Sequence, residues 1–343
     1  MKVEKRKVKL LEIIPQQHYL SKDKYEAVCK WLSDREDYGD LYVMDYKGQL
    51  FSIDGHHRLL YLYKKGIEYV DVLVEEEDQD HPLYQQLADE SLAMGFKSII
   101  DLENRMIDSY EDYKIQWIDK CQVLLLSDEN IKDYQEDPCA YSALPLYKEI
   151  RLDGSKVRVV HERKLSNKEK STKDYQRFFR LKHDFSKVEE HSVSGYSVRY
   201  VDFDKDLCLI EEIIEASYTD LRLRQVDIIR MIKDRVFDPS LWMFLVEEKT
   251  KKEVGLIIGQ YDRLVGEVVV DWMQVLPAYR GKGLGKMLLS YMLGHVPKEA
   301  KFATVSGDKD NPSSPESLYR ACGFKGEDVW YIFPNRKKSE ESS

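Results

Sequence analysis

Apolar residues at helical spacing follow Ser21 as far as Leu32, and the serine is placed to cap the first turn. Residues 8–14, 41–45, 49–53 and 70–74 instead alternate as half-buried strands do, with Lys47-Gly48 as the turn between the second and third. Leucine and tyrosine return to helical spacing over 56–65, and Gly66 ends that run. Residues 82–133 read as helical throughout. Two strand-like runs, 147–152 and 156–161, flank Asp153-Gly154-Ser155 and predict a hairpin. Residues 164–190 mix both charge signs and read as a linker or an exposed helix.

A second alternation of elements begins near Gly195. A strand is expected over 196–201, amphipathic helices over 207–218 and 226–236, and strands over 241–247, 254–261 and 267–276. A glycine-rich turn comes next, then a helix through Leu293, a strand over 301–306, a helix ending near Gly323 and a last strand over 329–333. The reading is a mixed α/β (α+β) chain. Its expected divisions are a small α/β domain at 1–84, a helical extension at 85–135, a hairpin and charged linker at 136–194, a mixed-sheet domain at 195–335 and a polar tail at 336–343.

Composition narrows the class. At 343 residues, with 43% hydrophobic and 34% charged, the chain has the profile of a globular protein of two domains, either half long enough to bury a core of its own. A formal net charge of −9 argues against nonspecific binding to nucleic acid or to an anionic membrane. The first residues have no continuous apolar stretch, so neither a signal peptide nor a membrane anchor is expected, and the expected compartment is the cytoplasm. Five cysteines, none at Cys-x-x-Cys spacing, suit reduced thiols; no metal site is expected. The acidic run Glu75-Glu76-Glu77-Asp78 reads as solvated surface.

The chemistry concentrates first at Tyr279-Arg280-Gly281-Lys282-Gly283-Leu284-Gly285-Lys286, behind a strand and opening a helix. Glycines let the backbone approach an anion, and the amides of a helix start point at it with a favourable dipole. A helix-entry turn without ligand has the same local pattern. With Val275-Leu276-Pro277 before it, and Asn311 and Leu318-Tyr319-Arg320-Ala321-Cys322-Gly323-Phe324 after it, the segment resembles the GNAT family of acyl-CoA-dependent N-acetyltransferases over residues 195–335.

That resemblance implies acetyl-CoA as cofactor. It implies that the amides of Gly281, Lys282, Gly283, Leu284, Gly285 and Lys286, with Arg280 and Asn311, surround the cofactor, and that Met273 to Val275 hydrogen-bond its pantetheine arm. It further implies Tyr319 as general acid toward the leaving thiolate, the two pKa values lying within about two units. The same tyrosine also suits an ordinary half-buried aromatic position. For the base, the strand over 301–306 has no carboxylate, which leaves Asp271 and Glu267. Four apart on one strand, they are expected to share a face with each other and with Met273 and Val275. Asp271 is preferred, acting through water, with a structural hydrogen-bonding role as the alternative.

A second constellation, Ile53-Asp54-Gly55-His56-His57-Arg58, sits at a strand-to-helix turn. With Ile13-Ile14-Pro15 upstream and Gly66 to Val72 downstream, residues 8–75 resemble the ParB/sulfiredoxin superfamily. This implies phosphate or nucleotide binding by Asp54, Gly55, His56, His57 and Arg58; a capping network without ligand is the alternative. His56 and His57 would point about 100° apart on a helix and so would not share a metal. The sulfiredoxin cysteine is missing from the turn, and no DNA-reading helix-turn-helix follows.

The leading expectation is an N-acetyltransferase acting on an amine of a small molecule or of a protein lysine or N-terminus, with an N-terminal domain that binds a nucleotide or selects the acceptor. A bifunctional protein with a nucleotide-dependent kinase or hydrolase at its N-terminus, and a non-catalytic acetyl-CoA sensor, are the alternatives. The acidic chain favours a cationic acceptor.

Overall fold

The computed structural model describes residues 3–35, 37–75, 81–151, 157–171, 175–217, 222–311 and 313–334. The glutamates and aspartate at 76–78, the turn at 153–155 and the tail at 336–343 lie outside them. The protein is a mixed α/β fold of two compact units, residues 1–126 and 127–343. Among the described residues no helix is long and apolar enough to cross a membrane.

Among the described residues of the first unit there are seven strands: β1 (Val3–Lys9), β2 (Ile13–Pro15), β3 (Leu20–Ser21), β4 (Tyr42–Tyr46), β5 (Gln49–Ser52), β6 (Tyr69–Glu75) and β7 (Met106–Ile107). Five of them form a sheet of order β1-β6-β4-β5-β2, and β3 pairs with β7. Ser21 caps the helix Lys22–Leu32, its Oγ accepting the Lys24 amide at 3.3 Å. Leu10, Ile13, Phe51, Leu59 and Leu60 are fully buried on this sheet, and Ala88, Phe96, Ile99 and Leu102 join them in one core.

The second unit is built on β8 (Val157–His161), β9 (Gln176–His183), β10 (Tyr196–Tyr200), β11 (Trp242–Glu247), β12 (Lys252–Asp262), β13 (Glu267–Val275), β14 (Phe302–Asp308) and β15 (Lys325–Pro334). Their order is β10-β11-β12-β13-β14-β9-β15-β8. Within this sheet only β13 and β14, among the described strands, pair in parallel, joined through the helix Leu284–Gly294. That helix and Leu207–Ser217 bury Leu288, Leu289, Met292, Ile210 and Ile214 against Leu256, Ile258, Val268 and Val270.

Three expectations are corrected. The segment read as linker or exposed helix holds β9, which lies inside the sheet between β14 and β15. Its basic residues mislead because their partners are distant in the sequence: Arg180 is wholly buried against Glu267, and Lys182 Nζ donates to the Gln135 and Glu136 carbonyls. The expected hairpin is not formed, since Leu146–Glu149 is helical and β8 pairs with β15. Finally, the helix Asp128–Glu136 lies in the second unit rather than in a helical extension of the first, because Tyr134 is drawn into its core by Glu267.

Candidate active site

Parallel strands that part company leave backbone groups open, and β13 and β14 do so. Their register runs from Glu267↔Phe302 to Val270↔Val305 and stops. Beyond it β13 continues to Val275 along β12, while β14 continues to Asp308 along β9. The cause is a bulge: Ile258 pairs with Trp272 and Gly259 with Val270, so Asp271 is the extra residue. Past this fork no strand among the described residues lies beside the β14-facing edge of Asp271 to Val275.

The bulge also overturns the expected alternation. Met273 approaches the helix Leu284–Gly294, its Cε lying 3.5 Å from where a Cβ of Gly285 would stand. Asp271 instead ion-pairs with Lys148, next to Tyr147, which packs on Val269. Glu267 and Asp271 therefore stay on one side, and Met273 leaves it.

At the mouth of the fork the chain makes its glycine turn. Gly281 and Gly283 have φ of +76° and +78°, which side chains with a Cβ rarely adopt, and Gly283 is the left-handed N-cap of the helix Leu284–Gly294. No side chain caps this helix, and the first amide bonded back is Met287 to the Gly283 carbonyl at 3.0 Å. The amides of the first turn are thus available to an anion. A Cβ at Gly285 would lie 3.1 Å from Leu318, so this glycine lets the helix Pro315–Ala321 lean on the first turn.

Arg280 serves the turn itself: its Nε donates to the Val275 carbonyl at 3.0 Å and its guanidinium to the Ser217 carbonyl at 3.2 Å. Lys282 sits over the Tyr279 ring. Asn311 builds the entry to the next helix by accepting the amide and hydroxyl of Ser313. Tyr319 is 8% exposed, with its ring edged against Phe179 and Phe324.

Glu267 is not at the fork mouth. Its carboxylate is fully buried and accepts from Arg180 at 3.0 Å, Tyr134 at 2.7 Å and Thr304 at 2.5 Å. Burial raises its pKa, against the opposing pull of Arg180, Thr304 and Tyr134. Both its oxygens are engaged inside the core, whereas Asp271 is partly exposed beside Lys148.

Sequence reasoning missed Lys148, Tyr147 and Arg180. Pro145, at the N-cap of Leu146–Glu149, was the available signal for a helical turn there; nothing local marks Arg180 as the partner of Glu267.

In the first unit, Gly55 is the left-handed N-cap of the helix His56–Lys64, with φ of +85° and no side-chain cap. A Cβ there would stand 2.5 Å from Leu41. The two histidines are engaged locally: His56 Nε2 accepts the Gln17 amide and His57 Nε2 the Ser21 amide, each at 3.2 Å. Burial lowers their pKa values to about 3 and about 4, so both rings are neutral. Arg58 bonds Asp54 at 2.8 Å and the Tyr38 carbonyl at 3.0 Å. A cavity of about 440 Å³ borders this turn, lined by Gln17, Lys24, Gly55, His57, Arg58 and Tyr113 among others.

Among curated proteins none matches the chain. Solved structures similar to it include a GCN5-related N-acetyltransferase of Sphaerobacter thermophilus, 18% identical over 54% of this chain and 63% of its own, with a TM-score of 0.44. The ribosomal-protein-S18-alanine N-acetyltransferase of Escherichia coli is 16% identical over 43% of this chain and 99% of its own, at 0.33. A GNAT-family acetyltransferase of Colwellia psychrerythraea is 13% identical over 52% and 65%, at 0.38. The chain thus spans less than two thirds of the first and the third. Residues 240–326, which contain the bulge, the fork and the glycine turn, match the family model described as acetyltransferase (GNAT) domain. Residues 240–326 of the second unit are thus similar to the acetyltransferase (GNAT) domain, a domain that uses acetyl-CoA.

Proposed function

We propose that the chain is an N-acetyltransferase that moves the acetyl group of acetyl-CoA to a primary amine. The observation that carries this reading is the fork between β13 and β14 opening beside an uncapped glycine turn, inside the segment that matches the acetyltransferase domain. Amides of residues 281–286 hold the pyrophosphate, and the free edge of Met273 to Val275 receives the extended pantetheine amides as a strand would. Asp271, at the bulge, takes a proton from the acceptor ammonium directly or through water. Tyr319 returns a proton to the leaving thiolate. Arg280 and Asn311 shape the turn and the following helix, and Glu267 supports the strand from within.

The acceptor is a small molecule or a protein amine. A cationic acceptor suits the net charge of −9 and the carboxylate of Asp271. Unpaired cysteines at all five positions are in keeping with a cytoplasmic enzyme. Free-thiol release from acetyl-CoA in the presence of a panel of primary amines tests the reading. Amine-dependent release supports it, and tight acetyl-CoA binding with no release for any amine favours a sensor.

For the first unit we propose a phosphate-bearing ligand at the cavity beside Gly55, whose uncapped helix start, Arg58 and Lys24 supply the donors. His56 and His57 act there as neutral acceptors that pin the turn to Gln17 and Ser21. Calorimetry of the full chain with CTP, ATP and ADP, repeated on Arg58→Ala, tests it. No heat with any nucleotide at millimolar concentration would leave this unit as a scaffold or acceptor-recognition module.

A further inference from the structure

The first residues past the last β13–β14 pair are Asp271 on one strand and Ser306 on the other. Both are engaged by the same short segment. Ser306 Oγ donates to the Ala143 carbonyl at 3.3 Å, and Asp271 is ion-paired with Lys148. This segment is pinned by the Leu146 amide, which donates to Tyr134 Oη at 3.0 Å, and by Arg151, which binds Asp234 through two bonds of 2.5 and 3.0 Å, and it is closed on itself by Ser142 Oγ donating to Glu149 at 2.6 Å. Tyr147 is buried against Val236 and Val269. Residues 142–151 therefore lie across the point where the two strands part, held in a fixed register. They bring a primary ammonium, Lys148 Nζ, onto the carboxylate proposed as base.

We infer that Lys148 is an internal acceptor, N-acetylated by the chain's own active site. The inference rests on the N-acetyltransferase reading. Asp271, or a water held on it, takes a proton from the Lys148 ammonium. The neutral nitrogen then bonds to the thioester carbonyl carbon, the carbon–sulfur bond breaks, the thiolate receives a proton from Tyr319, and the second proton leaving the nitrogen restores the Tyr319 hydroxyl while Asp271 gives up the first to water. One ammonium and one thioester become one amide, one free thiol and one released proton. The product amide carries no charge, so the ion pair with Asp271 is lost and its carboxylate is released to an external amine. Lys148 is 38% exposed at its side chain, enough to move toward the fork, while Asp271 is 12% exposed.

The test is mass-spectrometric mapping of the purified full-length chain incubated with acetyl-CoA, with binding followed in parallel by calorimetry. The expected result is one acetyl group at Lys148, gained at a first-order rate that does not change when the protein is diluted about tenfold, as an intramolecular step requires. Asp271→Asn should slow it by about 10² or more, the usual share of a general base. Lys148→Arg should carry no label at that position while keeping acetyl-CoA affinity. Labelling of Lys148 no faster than of the exposed Lys205, or at a rate that rises with protein concentration, would overturn the inference. Measurable acetyl-CoA binding with Lys148 unmodified would overturn it alone; absence of acetyl-CoA binding would overturn the functional reading with it.

Discussion

Tyr134 Oη donates to Glu267 Oε2 across 2.7 Å and receives Arg180 on its other side at 2.6 Å, so a helix, β13 and β9 meet at one hydroxyl in the core of the second unit. Removing one charge of such a buried pair leaves the other uncompensated. Glu267→Gln is expected to lower unfolding stability by about 3–5 kcal/mol, whereas replacing both Glu267 and Arg180 by leucine should cost far less. Urea unfolding of the single and double variants checks this, and equal losses would contradict a charge-pair origin.

The first unit should weaken in mild acid. His18, His56 and His57 have pKa values lowered from 6.5 to about 4, 3 and 4, with desolvation as the largest cause in each. Between these values the unfolded chain binds protons that the folded chain refuses, so stability falls as pH drops from 6.5 toward 4 and is unaffected by these groups above 6.5. The limiting slope is about 1.4 kcal/mol per pH unit for each histidine. Denaturant titrations across this range should show a shallower fall for His57→Gln, in which the amide oxygen still accepts from Ser21. An identical fall in both proteins would contradict the assignment.

Much of this architecture is legible in the sequence where local chemistry decides. Ser21 announces a helix that ends at Leu32, Lys47-Gly48 turns two strands, and the glycines at 281 and 283 mark a turn that only residues without a Cβ make easily. What resists reading is settled across long separations. β9 looks like a linker because Arg180 finds Glu267 far along the chain, and no neighbour of Arg180 reveals that. The bulge at Asp271 has no sequence mark either, yet it moves Met273 to the opposite face and opens the fork. Lys148 is invisible as a site residue until the helical turn at Pro145 brings it to Asp271.

Tyr319 tests the division between packing and chemistry. Its ring packs between Phe179 and Phe324, so Tyr319→Phe keeps that contact and removes only the hydroxyl. Turnover of an acceptor amine should fall by about 10² or more with acetyl-CoA affinity within about twofold. Steady-state kinetics alongside calorimetry separate the two, and wild-type turnover would leave Tyr319 a core aromatic.

The most direct measurement of the central claim is calorimetric titration of acetyl-CoA into the wild-type chain and into Gly283→Asp. At φ of +78° an aspartate is strained, and its carboxylate would stand at the helix start proposed to receive the pyrophosphate. Wild-type binding with at least about a tenfold loss in the variant, near 1.4 kcal/mol, is the predicted result. Equal affinity in two proteins with the same circular dichroism spectrum would contradict it.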